Sequence, residues 1–182
     1  MLSRYDPAIM TKKLLLLAVL CLAPVLAAED SDQLLTIDHY VRVKSTVPSI
    51  AGQMTQIYVR ERAKAGTPLR TANLADRVVL FVHGAGTPAE VAFDVPYQDY
   101  SWMAFLARAG FDVFSVDMTG YGRSTRPAPM NDPCNLAKDR QVGFVASPCG
   151  ASYPHTLTSI ASDWNDVDAA VIGEIGADAV EE

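Results

Sequence analysis

The chain has 182 residues, of which 49% are apolar and 20% charged, and it carries a formal net charge of −6 at pH 7. Such a composition describes an ordinary globular domain and excludes a disordered or fibrous chain. The basic residues are scattered and form no stripe interleaved with aromatics, so a nucleic-acid backbone is not an expected partner.

The N-terminus reads as a signal peptide over residues 1–28. Lys12 and Lys13 form a short basic region, residues 14–26 an apolar run with Pro24 near its end, and Val25-Leu26-Ala27 or Leu26-Ala27-Ala28 a cleavage site of small residues. Met10 offers an economical start, since Met10-Thr11-Lys12-Lys13 opens the segment directly. An apolar run of ~13 residues falls short of the roughly 20 that cross a bilayer, which argues against a transmembrane anchor. Bulky Leu20 before Cys21 argues against lipid attachment. The mature protein is therefore expected to be exported, periplasmic or secreted, with no stable membrane anchor.

Cleavage after Ala28 removes three basic residues and one acidic one, so 12 and 20 remain and the mature charge is −8. Cys21 leaves with the signal. Cys134 and Cys149 stay behind as an even pair in a compartment that favours disulfides, and a bond between them is expected over two free thiols. Closing a loop of that size stabilises by about 3 kcal/mol in the chain-entropy description.

Along the mature chain, Val41 and Val43 alternate with Arg42 and Lys44, and Ile57 and Val59 alternate with Gln56, Tyr58 and Arg60. Period-two alternation marks half-exposed strands, and residues 48–52, beginning in Pro48 and ending in Gly52, supply a turn between them. An antiparallel hairpin at a sheet edge follows. Gly66-Thr67-Pro68 breaks the chain. Residues 78–82 are continuously apolar, as in a parallel strand covered on both faces. Residues 100–109 hold good helix formers and end at Gly110, a natural left-handed C-cap. Residues 111–116 read as a second buried strand ending at Asp117, so strand, helix and strand form a crossover unit and the fold class is α/β. A stretch with five prolines and the cysteine pair, about residues 118–156, shows no periodicity and is expected to be a functional loop pinned by the disulfide. A helix then presents Ile160, Trp164, Val167 and Val171 on one face and Asp163, Asp166 and Asp168 largely on the other.

Residues 78–86, the helix before Gly110, the strand ending in Asp117 and the run Asp117-Met118-Thr119-Gly120-Tyr121-Gly122-Arg123-Ser124 together resemble the N-terminal half of an α/β-hydrolase. The resemblance spans roughly residues 35–172. It implies an incomplete α/β-hydrolase core over residues 29–182, with an antiparallel N-terminal hairpin leading into a mainly parallel sheet with flanking helices. Acyl transfer develops negative charge on a carbonyl oxygen, and in this family one backbone N–H that stabilises it comes from the turn after the third strand. Gly84, Ala85 and Gly86 are then the oxyanion-hole candidates, with the Ala85 N–H as donor. His83 is expected to brace that turn as a structural residue rather than act as a catalytic base.

The family's nucleophile sits in Gly-x-Ser-x-Gly, and this sequence contains no such pentapeptide. Gly122-Arg123-Ser124 and Gly150-Ala151-Ser152 lack the second glycine and a preceding apolar strand, and Ser124 is expected to tighten its own loop. His39 and His155 are poorly placed as triad members. No catalytic residue is assigned. The ending, with Gly173 and Gly176 where an apolar strand belongs, and a mature length of 154 residues against the roughly 200–250 common for such a domain, suggest a truncated or frame-shifted member, inactive alone. A naturally short domain is the alternative. As to function, a hydrolase of small esters or amides completed by further residues stands beside a non-catalytic remnant or binding protein. A nucleotide-binding module using Gly120 and Gly122 lacks the third glycine at a helix start. No cofactor is expected. Asp163, Asp166 and Asp168 do not have calcium-loop spacing, and the histidines and cysteines do not have zinc-ligand spacing, so no metal site is expected either.

Overall fold

The computed structural model describes residues 33–66 and 77–175, and the expected signal peptide lies outside them. The hairpin is present and longer than its alternating centre. Strand β1 (Leu34–Lys44) pairs antiparallel with β2 (Met54–Lys64) along its whole length, from Leu34 opposite Lys64 to Lys44 opposite Met54. A 3-10 turn at Pro48–Ile50 joins them, and Gly52 takes the left-handed φ of +80° that a side chain resists.

Strand β3 (Val78–Val82) leads through helix α1 (Ala89–Phe93) and helix α2 (Trp102–Arg108) into β4 (Asp112–Asp117). The sheet order is β1-β2-β4-β3, with β4 antiparallel to β2 and parallel to β3. An antiparallel hairpin thus leads into a parallel pair, a mixed α/β sheet of four strands. Helix α2 begins where Ser101 accepts the Ala104 N–H at 2.8 Å, and it ends before Gly110 at φ +90°. Helix α1 escaped the sequence reading because five residues carry less than two turns of periodicity.

The core lies on both sides of β4. On one face Ile57, Val59, Phe114 and Val116 pack against Val167 and Ala170 of helix α3 (Ile160–Ala170); on the other Val113 packs against Met103 and Ala107 of α2. Strand β4 is buried throughout, as expected of a strand covered on both faces, although Asp112, Ser115 and Asp117 interrupt its apolar residues. Strand β3 departs from that expectation. It is half-buried, with Val82 43% exposed, because among the described strands only β4 borders it.

Helix α3 also corrects its expected orientation. Ile160 and Trp164 are exposed, whereas Ser162, Asp166, Val167 and Ala170 face inward. The cause is a hydrogen-bond demand. The Thr119 residue is fully buried and its N–H donates to Asp166 Oδ2 at 2.8 Å, so the carboxylate turns in and the large apolar residues turn out.

The loop after β4 is built of 3-10 turns at Ala128–Asn131, Pro133–Asn135 and Lys138–Arg140 and is closed by the Cys134–Cys149 disulfide. Its centre is Gln141, 1% exposed, whose Nε2 donates to the carbonyls of Leu136 (2.9 Å), Cys149 (3.2 Å) and Cys134 (3.3 Å) while its Oε1 accepts the Cys149 N–H at 2.9 Å. Gln141→Leu keeps the volume and strands these groups. It is expected to lower stability by about 2–3 kcal/mol with the disulfide intact. Urea unfolding of the oxidised protein measures this, and an unchanged midpoint would mean that water satisfies the loop.

Candidate functional site

The turn after β3 and the loop after β4 meet through one side chain. His83 is 3% exposed; its Nδ1 lies 2.8 Å from the Gly84 carbonyl, and its Nε2 accepts the Met118 N–H at 3.2 Å. Because a backbone N–H can only donate, Nε2 must offer its lone pair, which places the imidazole proton on Nδ1, donating to Gly84. The Tyr121 ring packs on the imidazole at 4.5 Å between centroids.

Gly84, Ala85 and Gly86 are exposed, and Gly86 has φ +103°. A Cβ built at Gly84 or Gly86 would meet nothing within 4 Å, so the space over the turn is open. Among the described residues no acceptor takes the Ala85 N–H.

Asp117 ties this region to the loop. It is 1% exposed, and its Oδ1 accepts the Ala89 N–H at 2.8 Å while Oδ2 accepts the Arg123 N–H at 3.0 Å. One carboxylate thus fixes the start of α1 and the return of the loop. Gly122 sits at φ +45°, and a Cβ there would lie 1.8 Å from Asp117 Oδ2, so the close approach requires glycine. Ser124 is buried too. Its Oγ donates to the Asp117 carbonyl at 2.5 Å and accepts the Tyr58 N–H at 2.8 Å, so it tightens the loop as expected and is occupied as a hydrogen-bonding group.

Beside this loop lies a cavity of about 360 Å³ lined by Pro88, Glu90, Val91, Val95, Asp117 and Arg123, of the size that small-molecule sites occupy. Its charged wall belongs to a network missed in the sequence. Arg60, 9% exposed, reaches Asp94 at 3.0 Å, Glu90 at 3.1 Å and Asp38 at 3.3 Å, and its Nε donates to the Tyr58 hydroxyl at 3.0 Å. Arg123 pairs with Asp38 at 2.8 Å and Glu90 at 3.1 Å, with its guanidinium over the Tyr58 ring at 4.9 Å. Burial raises the Asp38 carboxyl, but the Tyr58 hydroxyl, Arg60 and Arg123 outweigh it and hold the group below its ordinary range. Burial and the neighbouring Asp38 push the Tyr58 phenol up. The signal available in the sequence was Asp38 and Arg60, opposite charges that come directly opposite each other once the hairpin register is known.

The other sequence candidates are placed elsewhere. His39 pairs with Glu61 at 2.7 Å on the hairpin, and His155 packs against Tyr153 in the disulfide loop. Among the described residues no group of three or more His, Cys, Asp or Glu could hold a metal ion, and no helix is long and apolar enough to cross a membrane.

Residues 77–147 match the profile of the alpha/beta hydrolase fold. The match begins at β3, takes in the Gly84–Gly86 turn, β4 and the Asp117 loop, and ends within the disulfide loop before α3. No curated protein matches the chain.

Proposed function

We propose, from the likeness of residues 77–147 to the alpha/beta hydrolase fold, that this chain carries the oxyanion half of a serine hydrolase acting on small esters or amides. The observation that carries the reading is the exposed turn with an unused Ala85 N–H under open space, held by His83 against the loop after β4. Such a pre-aimed N–H suits a developing alkoxide, and losing one such donor costs about 3 kcal/mol of transition-state stabilisation. Turn and loop lie beyond the carboxyl ends of the parallel pair β3 and β4, the place where open α/β sheets hold ligands. The neighbouring cavity is large enough for a small substrate.

A nucleophile elbow and a triad histidine are not among these residues, so the chain alone is expected to be inactive. Export is part of the proposal, supported by the basic and apolar pattern of residues 12–28 and by a disulfide of the kind that persists in oxidising compartments. Labelling the full chain with a fluorophosphonate tests the assignment. No serine is expected to react, and modification of Ser124, whose hydroxyl is already committed to the Asp117 carbonyl, would overturn the division of roles.

A further inference from the structure

Two consecutive backbone amides leave β4, and each is accepted by a titratable side chain from a different element. The Met118 N–H goes to His83 Nε2, from the turn after β3, and the Thr119 N–H goes to Asp166 Oδ2, from α3. His83, Thr119 and Asp166 are all at least nine-tenths buried, so water does not readily replace either acceptor. A third titratable group faces the pair. Asp163, one turn before Asp166 on α3, lies within Coulombic reach of His83, and Tyr121 covers the ring from the loop side.

The two acceptors respond differently to acid. A carboxyl that gains a proton on one oxygen still accepts through the other. An imidazole that gains a proton on Nε2 becomes a donor at both nitrogens and faces the Met118 N–H donor to donor. We propose that His83 is an acid-operated positioning residue: neutral, it clamps the Gly84–Gly86 turn to the exit of β4, and protonated, it releases the Met118 amide and turns to the Asp163 carboxylate.

The charge balance favours such a transfer. Burial pushes the Asp163 and Asp166 carboxyls up, with His83 opposing the rise at Asp163 and the Thr119 N–H opposing it at Asp166, and Asp163 adds to the rise at Asp166. An imidazolium within Coulombic reach of Asp163 favours the charged form of its carboxyl. The proton that His83 takes up comes from solvent and no other bond is made or broken. The proposal concerns the seating of the turn and does not depend on the oxyanion reading.

Nitrogen-15 NMR of the uniformly labelled full chain tests it. At neutral pH the His83 ring is expected to show the Nδ1–H tautomer. On acidification, the protection factor of the Met118 amide, the intrinsic exchange rate at the same pH divided by the observed one, is expected to fall tenfold or more in step with the His83 titration, while the protection factor of Arg123, which donates to Asp117, stays level. His83→Gln offers an amide oxygen near the Nε2 position that takes no proton in this range, and the acid-linked loss of protection at Met118 should vanish. Asp163→Asn alters a partly exposed residue and should move the His83 midpoint to lower pH without unfolding the chain. An Nε2–H tautomer at neutral pH, a Met118 amide indifferent to the His83 titration, or a midpoint unmoved by Asp163→Asn would each overturn the switch.

Discussion

Asp117→Ala is expected to lower the free energy of unfolding by about 2–4 kcal/mol, since it strands the buried Ala89 N–H at roughly 1–3 kcal/mol, leaves the part-buried Arg123 N–H to water and removes the link between α1 and the loop. Against a total of about 5–15 kcal/mol for a domain, such a loss brings the chain close to unfolding at room temperature. Urea denaturation followed by circular dichroism reads the change. Asp117→Asn should lose less, because its amide oxygen still accepts one of the two donors. A second substitution sharpens the assignment. Gly122→Ala drives a Cβ into Asp117 Oδ2, so in the Asp117→Ala background most of its cost should disappear and only the roughly 1 kcal/mol of a left-handed alanine remain. Strict additivity of the two would mean that the carboxylate does not sit where the hydrogen bonds place it.

Arg60→Ala should cost a comparable 3–5 kcal/mol. Arg60 neutralises Asp94, which is 5% exposed, and removing one partner of a buried pair leaves the other charge in a medium that solvates it poorly. The Ser101 hydroxyl, 2.5 Å from Asp94 Oδ1, and Arg62, 3.6 Å away, keep the loss towards the lower end. Arg60→Lys keeps a positive charge but cannot reach Asp38, Tyr58, Glu90 and Asp94 at once, and an intermediate stability is expected. The acid limb should change as well. Because Asp38 is held below its ordinary value, its stabilising contribution is complete above the unfolded-state pKa and is lost as pH falls through the folded one. Taking away Arg60 raises that folded value and narrows the window, so the variant and wild-type melting curves should converge at low pH. Parallel curves from pH 7 to pH 2 would show that Asp38 is not coupled to Arg60.

The readable and unreadable parts of this chain divide along physical lines. The hairpin, β4, α2 and its Gly110 terminus were legible because each rests on a local rule: alternation, a cluster of β-branched and aromatic residues, or a cap residue with left-handed backbone. The short-range contacts of His83 with Gly84 and of Ser124 with Asp117 fall within the one pattern that the sequence displays. Helix α3 was misjudged because its apolar periodicity is weak and one non-local hydrogen bond, Thr119 to Asp166, sets its rotation. The Arg60 network was invisible for the same reason. Its members come from β1, β2, α1 and the loop after β4, and no sequence period connects them.

The pairing pattern also carries an order of assembly. Strands β1 and β2 close across ~9 residues, whereas β4 reaches β2 across ~50, from Arg62 to Val113, a difference of about 1.5 kcal/mol in closure entropy that the second pairing must overcome. Hairpins of the first kind form in roughly 1–10 μs. The free edge of β2 is therefore present before β4 arrives to cover it, and the buried side chains Tyr58, Val59 and Arg60 wait in water for the strand that seals them.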